Sequence, residues 1–291
     1  LFWVSLCFCA PAQAAAPVSV RISLPGPGVA PMLPLELMSK IGADRQEGIQ
    51  VHFRHFGGGP LALKDMLGGN SDFAAMGLSA LAENHDARGK AFAIANIVQV
   101  PAYTLMVAQR HRGKIRSLRD LHGMRIGVHT GAKAGKSSSQ HIAEMLIRSA
   151  GLNEDAVNFV ATGQNSDSYA AVLQSDAADA LIVNEPSATA LERNQIAFRL
   201  VDLHDPDQSR KYLGGLMQYT VLVANTEMLN RQSEVTGHLI AALVRTLRWI
   251  QIRSPQEIAE RIAPDNRERR EMLAHFLSRN KKMYAPDAVF S

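Results

Sequence analysis

Glycines, serines and a few polar side chains at the ends of apolar runs are the residues of this chain whose spacing can do chemistry. Residues 57–79 read GGGPLALKDMLGGNSDFAAMGLS. Gly58 and Gly59 let the backbone approach a ligand closely, and Pro60 suits a first helical position, where its missing N–H is not needed. Such a helix start points free N–H groups outward and favours an anion or a polar head group. After Gly77, Leu78 and Ser79 form a second small-residue loop at the end of the next apolar run. Gly26, Pro27 and Gly28 make a third. Residues 130–139, TGAKAGKSSS, make a fourth: Lys133 and Lys136 add charge, and Ser137, Ser138 and Ser139 add hydroxyls. This run holds G-x-x-x-G-K-S, one residue short between its glycines of a nucleotide-binding phosphate loop, so it reads as an anion-binding helix start instead.

Two further groups sit at comparable positions. Asn165 precedes a helical run over 168–174 and can cap it. Asn184, Glu185 and Pro186 follow the apolar run ALIV. A carboxylate there can hold a ligand ammonium or hydroxyl, or an arginine from the opposite lobe. It serves equally well as the acid at a helix N-terminus with proline next to it. Tyr103 and Tyr219 each border a strand-like run, placed either to line a cleft or to pack where two halves of the molecule join.

Nothing in the sequence argues for catalysis. There is no G-x-S-x-G elbow and no H-E-x-x-H pair, and the ten histidines show no repeated metal spacing. The only cysteines, Cys7 and Cys9, lie in the first segment. No cofactor and no metal are expected. A net charge of +4 and an aromatic content of 6% make nucleic acid a poor partner. The basic runs at 110–114 and 267–270 read as solvated faces.

Those rims need elements to hold them. Strands are expected at 18–24, 49–53, 73–76, 92–100, 103–108, 125–128, 157–160, 180–183, 197–201 and 217–224. Helices are expected at 33–41, 61–67, 80–88, 140–151 and through much of 228–277. Residues 109–117 read as a surface crossover and 202–210 as a polar loop. The pattern occurs twice: the strand and glycine loop at 20–28 are echoed at 125–131, and the turn and strand from Asp72 by those from Asp179, at a nearly constant offset. Two similar α/β lobes follow.

The order of strand, Gly-Pro loop, helix, strand, G-G-G-P, L-x-x-G-x-x-D-F and small-residue loop, with D-A-x-I-V-N-E-P later, resembles the periplasmic solute-binding proteins of ABC importers of the nitrate, sulfonate and taurine type. The resemblance spans most of the chain after residue 17 and weakens after about residue 255. It implies a type II periplasmic binding protein-like α/β fold, two Rossmann-like lobes joined by a hinge of two crossover strands. Lobe one would take residues 17–107 and 221–291, and lobe two residues 108–220. The resemblance also implies capture of a small organic anion or zwitterion between the lobes, a permease partner in the inner membrane, a monomer, and a helix start at Asn165 that faces the cleft. Residues 1–14, apolar and ending in a small-x-small pattern, read as the remainder of a secretory signal, which places the chain in the periplasm. An enzyme of the same fold acting on a small metabolite, or a secreted sensor, are the alternatives.

Overall fold

The computed structural model describes residues 16–129, 136–215 and 218–290. The signal-like residues 1–14, Lys133 and the start of the run at Met217 lie outside the described residues. The first half runs β1 (Val18–Pro25), α1 (Leu33–Lys40), α2 (Ala43–Gln46), β2 (Ile49–Phe56), α3 (Gly59–Leu67), β3 (Phe73–Gly77), α4 (Leu78–Glu83) and β4 (Ala91–Val98). The second runs β5 (Thr104–Ala108), β6 (Arg125–His129), α5 (Ser138–Ser149), β7 (Asn158–Thr162), α6 (Ser166–Gln174), β8 (Ala180–Val183), α7 (Ser187–Arg193), β9 (Ala197–Asp202) and α8 (Pro206–Leu213). The chain then returns through β10 (Thr220–Asn225) to α9 (Thr226–Arg231), α10 (Ser233–Ile252), α11 (Pro255–Ile262) and α12 (Arg267–Asn280).

The strands form two five-stranded sheets, ordered β2-β1-β3-β10-β4 and β7-β6-β8-β5-β9. These are the same order twice, with β10 and β5 the antiparallel member of each. Each of these two strands belongs to the sheet that its sequence neighbours on one side do not. The chain therefore crosses between lobes twice, and the architecture is the two-lobed α/β fold expected.

One boundary differs from the expectation. Thr104–Ala108 pairs with β8 and β9 in the second sheet, so the first crossing runs through residues 99–103 and not after residue 107. A buried run such as TLMVA fits either sheet equally well, and only the strand ends available to it decide which. Residues 202–210 also differ, since most of them enter α8, with the Asp205 side chain accepting from the Asp207 N–H at its start.

Strands covered on both faces explain why their sequences are apolar without alternation. In β5, Leu105 and Val107 join the large central cluster while Met106 and Ala108 join the outer cluster under α6 and α7. In β10, Leu222 and Ala224 face that same central cluster, and Val221 and Val223 face Leu63 and Met66 of α3. Leu239, Leu243, Leu247 and Ile250 of α10 fill the central cluster, at helical spacing.

The duplication extends to an ion pair. Arg21 on β1 donates from its backbone N–H to Asp72 Oδ2 at 2.7 Å and from Nη2 to Oδ1 at 2.9 Å, while the Asp72 N–H returns to the Arg21 carbonyl at 2.9 Å. Arg125 on β6 repeats this with Asp179: 3.0 Å from N–H, 3.0 Å from Nη2 and 2.8 Å in return. In both sheets the carboxylate stands just before the third strand and fixes its register on the first, pairing Ile22 with Phe73 and Ile126 with Ala180. Asp179 also accepts from Arg110 at 2.9 Å and contacts His111 Nε2 at 3.1 Å. Those two residues of the 110–114 run therefore lock the second sheet instead of forming a merely solvated face. Burial raises the Asp179 pKa, but the donors Arg125, His111 and Arg110 outweigh it and hold the carboxyl well below its usual range.

Asp179→Asn is expected to cost about 2 kcal/mol, as a buried charge-assisted hydrogen-bond centre does. Asp72→Asn should cost about half as much or less, because its pair is more exposed, at 48% and 22% against 41% and 9% for Arg125–Asp179. Urea unfolding with an unchanged m value measures both.

Candidate functional site

The residues that line the gap between the lobes sit at strand ends. Pro25 ends β1, Gly58 and Gly59 follow β2, Gly77 ends β3, His129 ends β6, Gln164 follows β7 and Asn184 follows β8. Tyr103 and Thr220 stand at the N-terminal ends of β5 and β10, which run the other way. Carboxyl ends of parallel strands are where open α/β sheets place ligands, and here two sheets aim theirs at one space. Ser137, Ser138, Tyr219, Val29, Pro31 and Met32 complete the wall.

The gap is nearly shut, with a cavity volume of ≈ 30 Å³. Backbone and side-chain bonds cross it. The Ala30 N–H donates to the Glu185 carbonyl at 3.0 Å, and Gln164 Nε2 donates to the Gly57 carbonyl at 2.6 Å. Gly77 meets Ser138 so closely that a Cβ there would lie 1.9 Å from Ser138 Oγ.

Aromatic rings run along the hinge side. Tyr219 packs edge-on against Tyr103 with centroids 5.3 Å apart, Tyr103 against His129 at 5.6 Å, and His129 stacks on Tyr169 at 6.0 Å. Tyr103 therefore both lines the gap and packs at the lobe junction. Its hydroxyl is pushed up to about 12 by burial, against hydrogen bonding from Tyr219 and Asn184. Burial drives His129 down to about 3, and its Nε2 lies 2.6 Å from Tyr169 Oη, so the imidazole is neutral near pH 7. Burial raises the Tyr219 hydroxyl well above its ordinary value. Thr220 Oγ1 and Ser79 Oγ are buried and have no hydrogen-bond partner.

Helix starts face this space, as glycine and serine imply. Gly58 is the N-cap of α3, and Ser137 caps α5 by accepting from the Gln140 N–H at 3.4 Å. Ser139 instead accepts the His129 N–H at 2.8 Å and is wholly buried. It ties the end of β6 to the first turn of α5, while Ser138 reaches the gap.

Other expected site residues are placed elsewhere. The Glu185 carboxylate bonds Arg199 Nη2 at 2.6 Å and accepts the Thr189 N–H at 3.0 Å, leaving only its carbonyl on the gap side. The helix-terminal role thus wins, because Arg199 from β9 of the same lobe neutralises the acid. Lys136 pairs with Glu144 at 2.8 Å and offers the gap no free charge. Asn165 caps α6 through a 2.8 Å bond from the Ser168 N–H and is exposed. Pro60 lines an outer groove beside Lys64 and Asp86. Gly26, with φ 54°, sits against Gln164 of the other lobe. Gly28, with φ 70°, donates to Glu36 Oε1 at 2.6 Å and lies under Arg269, and Pro27 is exposed on that same rim. Leu78 is half-buried at the start of α4, its N–H on the Tyr219 carbonyl at 2.8 Å.

His129, Gln164 and Thr220 were missed by sequence reading. A signal for the first existed: His129 holds in the second repeat the place that Pro25 holds in the first. Among the described lining residues none carries a charge at neutral pH, and no group of three or more His, Cys, Asp or Glu among the described residues can hold a metal ion.

A model of the NMT1/THI5-like family matches residues 45–258, and the chain belongs to that family. No curated protein matches its sequence. Among solved structures it is similar to a protein of Bordetella bronchiseptica RB50, with TM-score 0.81, 23% identity and coverage of 94% of this chain and 85% of that one. It is similar also to the alkanesulfonate-binding protein SsuA of Xanthomonas axonopodis pv. citri, solved bound to MOPS (0.73, 17%, 95% and 88%). The periplasmic nitrate-binding protein NrtA of Synechocystis PCC 6803 is a third (0.68, 10%, 88% and 68%). These likenesses establish the two-lobed periplasmic binding protein fold.

Two outcomes test the geometry. Gly77→Ala keeps an ordinary backbone, with φ near −69°, but puts its methyl into Ser138 of the other lobe. Small-angle scattering should show a larger radius of gyration for the variant, with an unchanged melting temperature. His129, protonated only when unfolded, makes stability fall by about 1.4 kcal/mol per pH unit as pH drops from about 6.5 toward 3. His129→Asn should show a shallower slope of ΔG against pH by one proton.

Proposed function

We propose that the chain is the solute-capturing component of an ABC importer in the periplasm. In this reading it traps a small organic solute between its lobes and presents the closed form to an inner-membrane permease. The observation that carries the proposal is the convergence, from both lobes, of two helix starts, at Ser137 and Ser138 on one side and at Gly58 and Gly59 on the other, beside the buried hydroxyl of Thr220, which has no partner. A buried hydroxyl left unpaired costs free energy that a polar ligand atom restores. Tyr103 and Tyr219 offer flat apolar faces beside those donors.

The N–H groups of α3 and α5 suit an anionic or zwitterionic head group without a full counter-charge in the described wall. SsuA and NrtA, which share the fold, are an alkanesulfonate-binding and a nitrate-binding protein, and this supports the same class of guest. Binding, not catalysis, fits a wall whose one titratable imidazole is held neutral and hydrogen-bonded. No helix among the described residues is long and apolar enough to cross a membrane. Closure follows from differential contact: a solute touches both lobes only when they meet, and the two crossings near Tyr103 and Tyr219 absorb the rotation.

Thermal-shift screening with organic anions, amino acids and heterocycles should find one class that raises the melting temperature. Stabilisation of about 2.7 kcal/mol is expected at a hundred times Kd. It should vanish in Ser138→Trp and weaken at least tenfold in Tyr219→Ala. A panel member that stabilises both variants as well as the parent would place binding elsewhere and end this reading of the cleft.

A further inference from the structure

Residues 29–32 supply the first lobe's wall with Val29, Pro31 and Met32, and they also touch the second lobe. The Ala30 N–H donates to the Glu185 carbonyl across the gap at 3.0 Å. On the far side Glu185 is pinned: Arg199 Nη2 donates to its Oε1 at 2.6 Å, and the Thr189 N–H to its Oε2 at 3.0 Å. The near side has no comparable anchor close by in the chain. Ala30–Met32 is a single 3₁₀ turn without a side-chain cap. Its own bonds, from the Met32 N–H to the Val29 carbonyl and from the Leu33 N–H to the Ala30 carbonyl, close within residues 29–33.

The anchor comes from the C-terminal tail. Tyr284 Oη donates to the Ala30 carbonyl at 2.8 Å, from a side chain that is wholly buried. Burial, and Glu36 nearby, raise the pKa of this phenol, so its hydroxyl keeps its proton and stays a donor. Residues 283–289 are laced in turn to the edge strand β4. The Gln99 N–H donates to the Met283 carbonyl at 2.9 Å, the Ala285 N–H to the Ile97 carbonyl at 3.0 Å and the Asn96 N–H to the Ala288 carbonyl at 2.8 Å. Lys281 Nζ holds the start of the tail on the Gln251 and Arg253 carbonyls, at 3.0 and 2.9 Å. A line of bonded residues thus runs from β4 through Tyr284, Ala30 and Glu185 to Arg199 on β9 of the other lobe, crossing the gap at Ala30. Ala30 and Tyr284 both lie outside residues 45–258, which the family model matches, so membership of the family does not account for it.

We propose that Tyr284 is a positioning residue for lobe closure: by holding the Ala30 carbonyl it sets residues 29–32 at the height where the Ala30 N–H meets Glu185. Contact at 3.0 Å is lost on a displacement of about half an ångström, so a turn left to its own two bonds would meet Glu185 less often. The ring of a buried tyrosine fills space wherever it sits, and here the oxygen adds the specific part. The arrangement needs only that the lobes part and meet in solution, whichever solute they take.

Tyr284→Phe removes that oxygen and keeps the ring, and the Ala30 carbonyl retains the Leu33 N–H, so the variant should fold, as circular dichroism would check. Amide exchange without any solute then compares two groups of lobe one: the Ala30 N–H, bonded across the gap, and the Asp72 N–H, bonded to the Arg21 carbonyl within the lobe. Protection at Ala30 should fall about fivefold in Tyr284→Phe, the worth of one ordinary hydrogen bond, while Asp72 stays nearly unchanged. Small-angle scattering on the same samples should show a larger radius of gyration for the variant. No fall at Ala30, a fall matched at Asp72, an unchanged radius or a variant that does not fold overturns the proposal, because each leaves the hydroxyl with no part in closure or with a general stabilising role. A failed solute screen leaves it untouched, so the two readings stand or fall separately.

Discussion

A sheet covered on both faces by helices has only its strand ends left to meet a solute. This constraint governs the molecule. Leu105, Val107, Leu222 and Ala224 face one layer, and Met106, Ala108, Val221 and Val223 face another, so neither β5 nor β10 has a free face. What remains is the row of loops after β1, β2, β3, β6, β7 and β8, and those loops hold the glycines, serines and asparagines. Helices that follow directly leave their first N–H groups unsatisfied within the helix, which turns the loops into donors.

Doubling the unit makes a cleft out of two such rims. In each sheet the antiparallel strand is the one that directly follows a crossing, so β5 and β10 tie the lobes together where Tyr103 and Tyr219 pack. The repeated Arg–Asp bracket at Arg21–Asp72 and Arg125–Asp179 sets the third strand on the first in both sheets, and with it the height at which Gly77 and Asn184 emerge. The rim glycines are thereby delivered to Ser138 and Gln164 of the opposite lobe at contact distance.

Charge takes little part inside. The carboxylates and cations near the gap are spent on one another: Glu185 with Arg199, Lys136 with Glu144, Glu36 with Gly28 and Arg269. They stiffen the walls, while neutral hydroxyls, amides and rings form the surface that faces the gap. Lobe contact at α4 and α5 is the exception, where an imidazole and carboxylates meet directly.

The sequence alone determined the class of fold, because apolar runs of strand length alternating with helical periodicity, occurring twice with glycine loops after them, admit few other architectures. It also singled out Gly58, Gly59, Ser137, Ser138, Tyr103, Asn184 and Tyr219, which line the gap, since turn formers and residues at strand ends carry a local signal. Tertiary structure alone decided the rest. Whether Glu185 faces a guest or Arg199, whether Lys136 is free or bound to Glu144, which sheet takes Thr104–Ala108, and whether His129 is charged or neutral all depend on partners distant in the chain or on burial. Backbone conformation is written locally, whereas the direction and ionisation of a side chain are set by whatever the fold brings beside it.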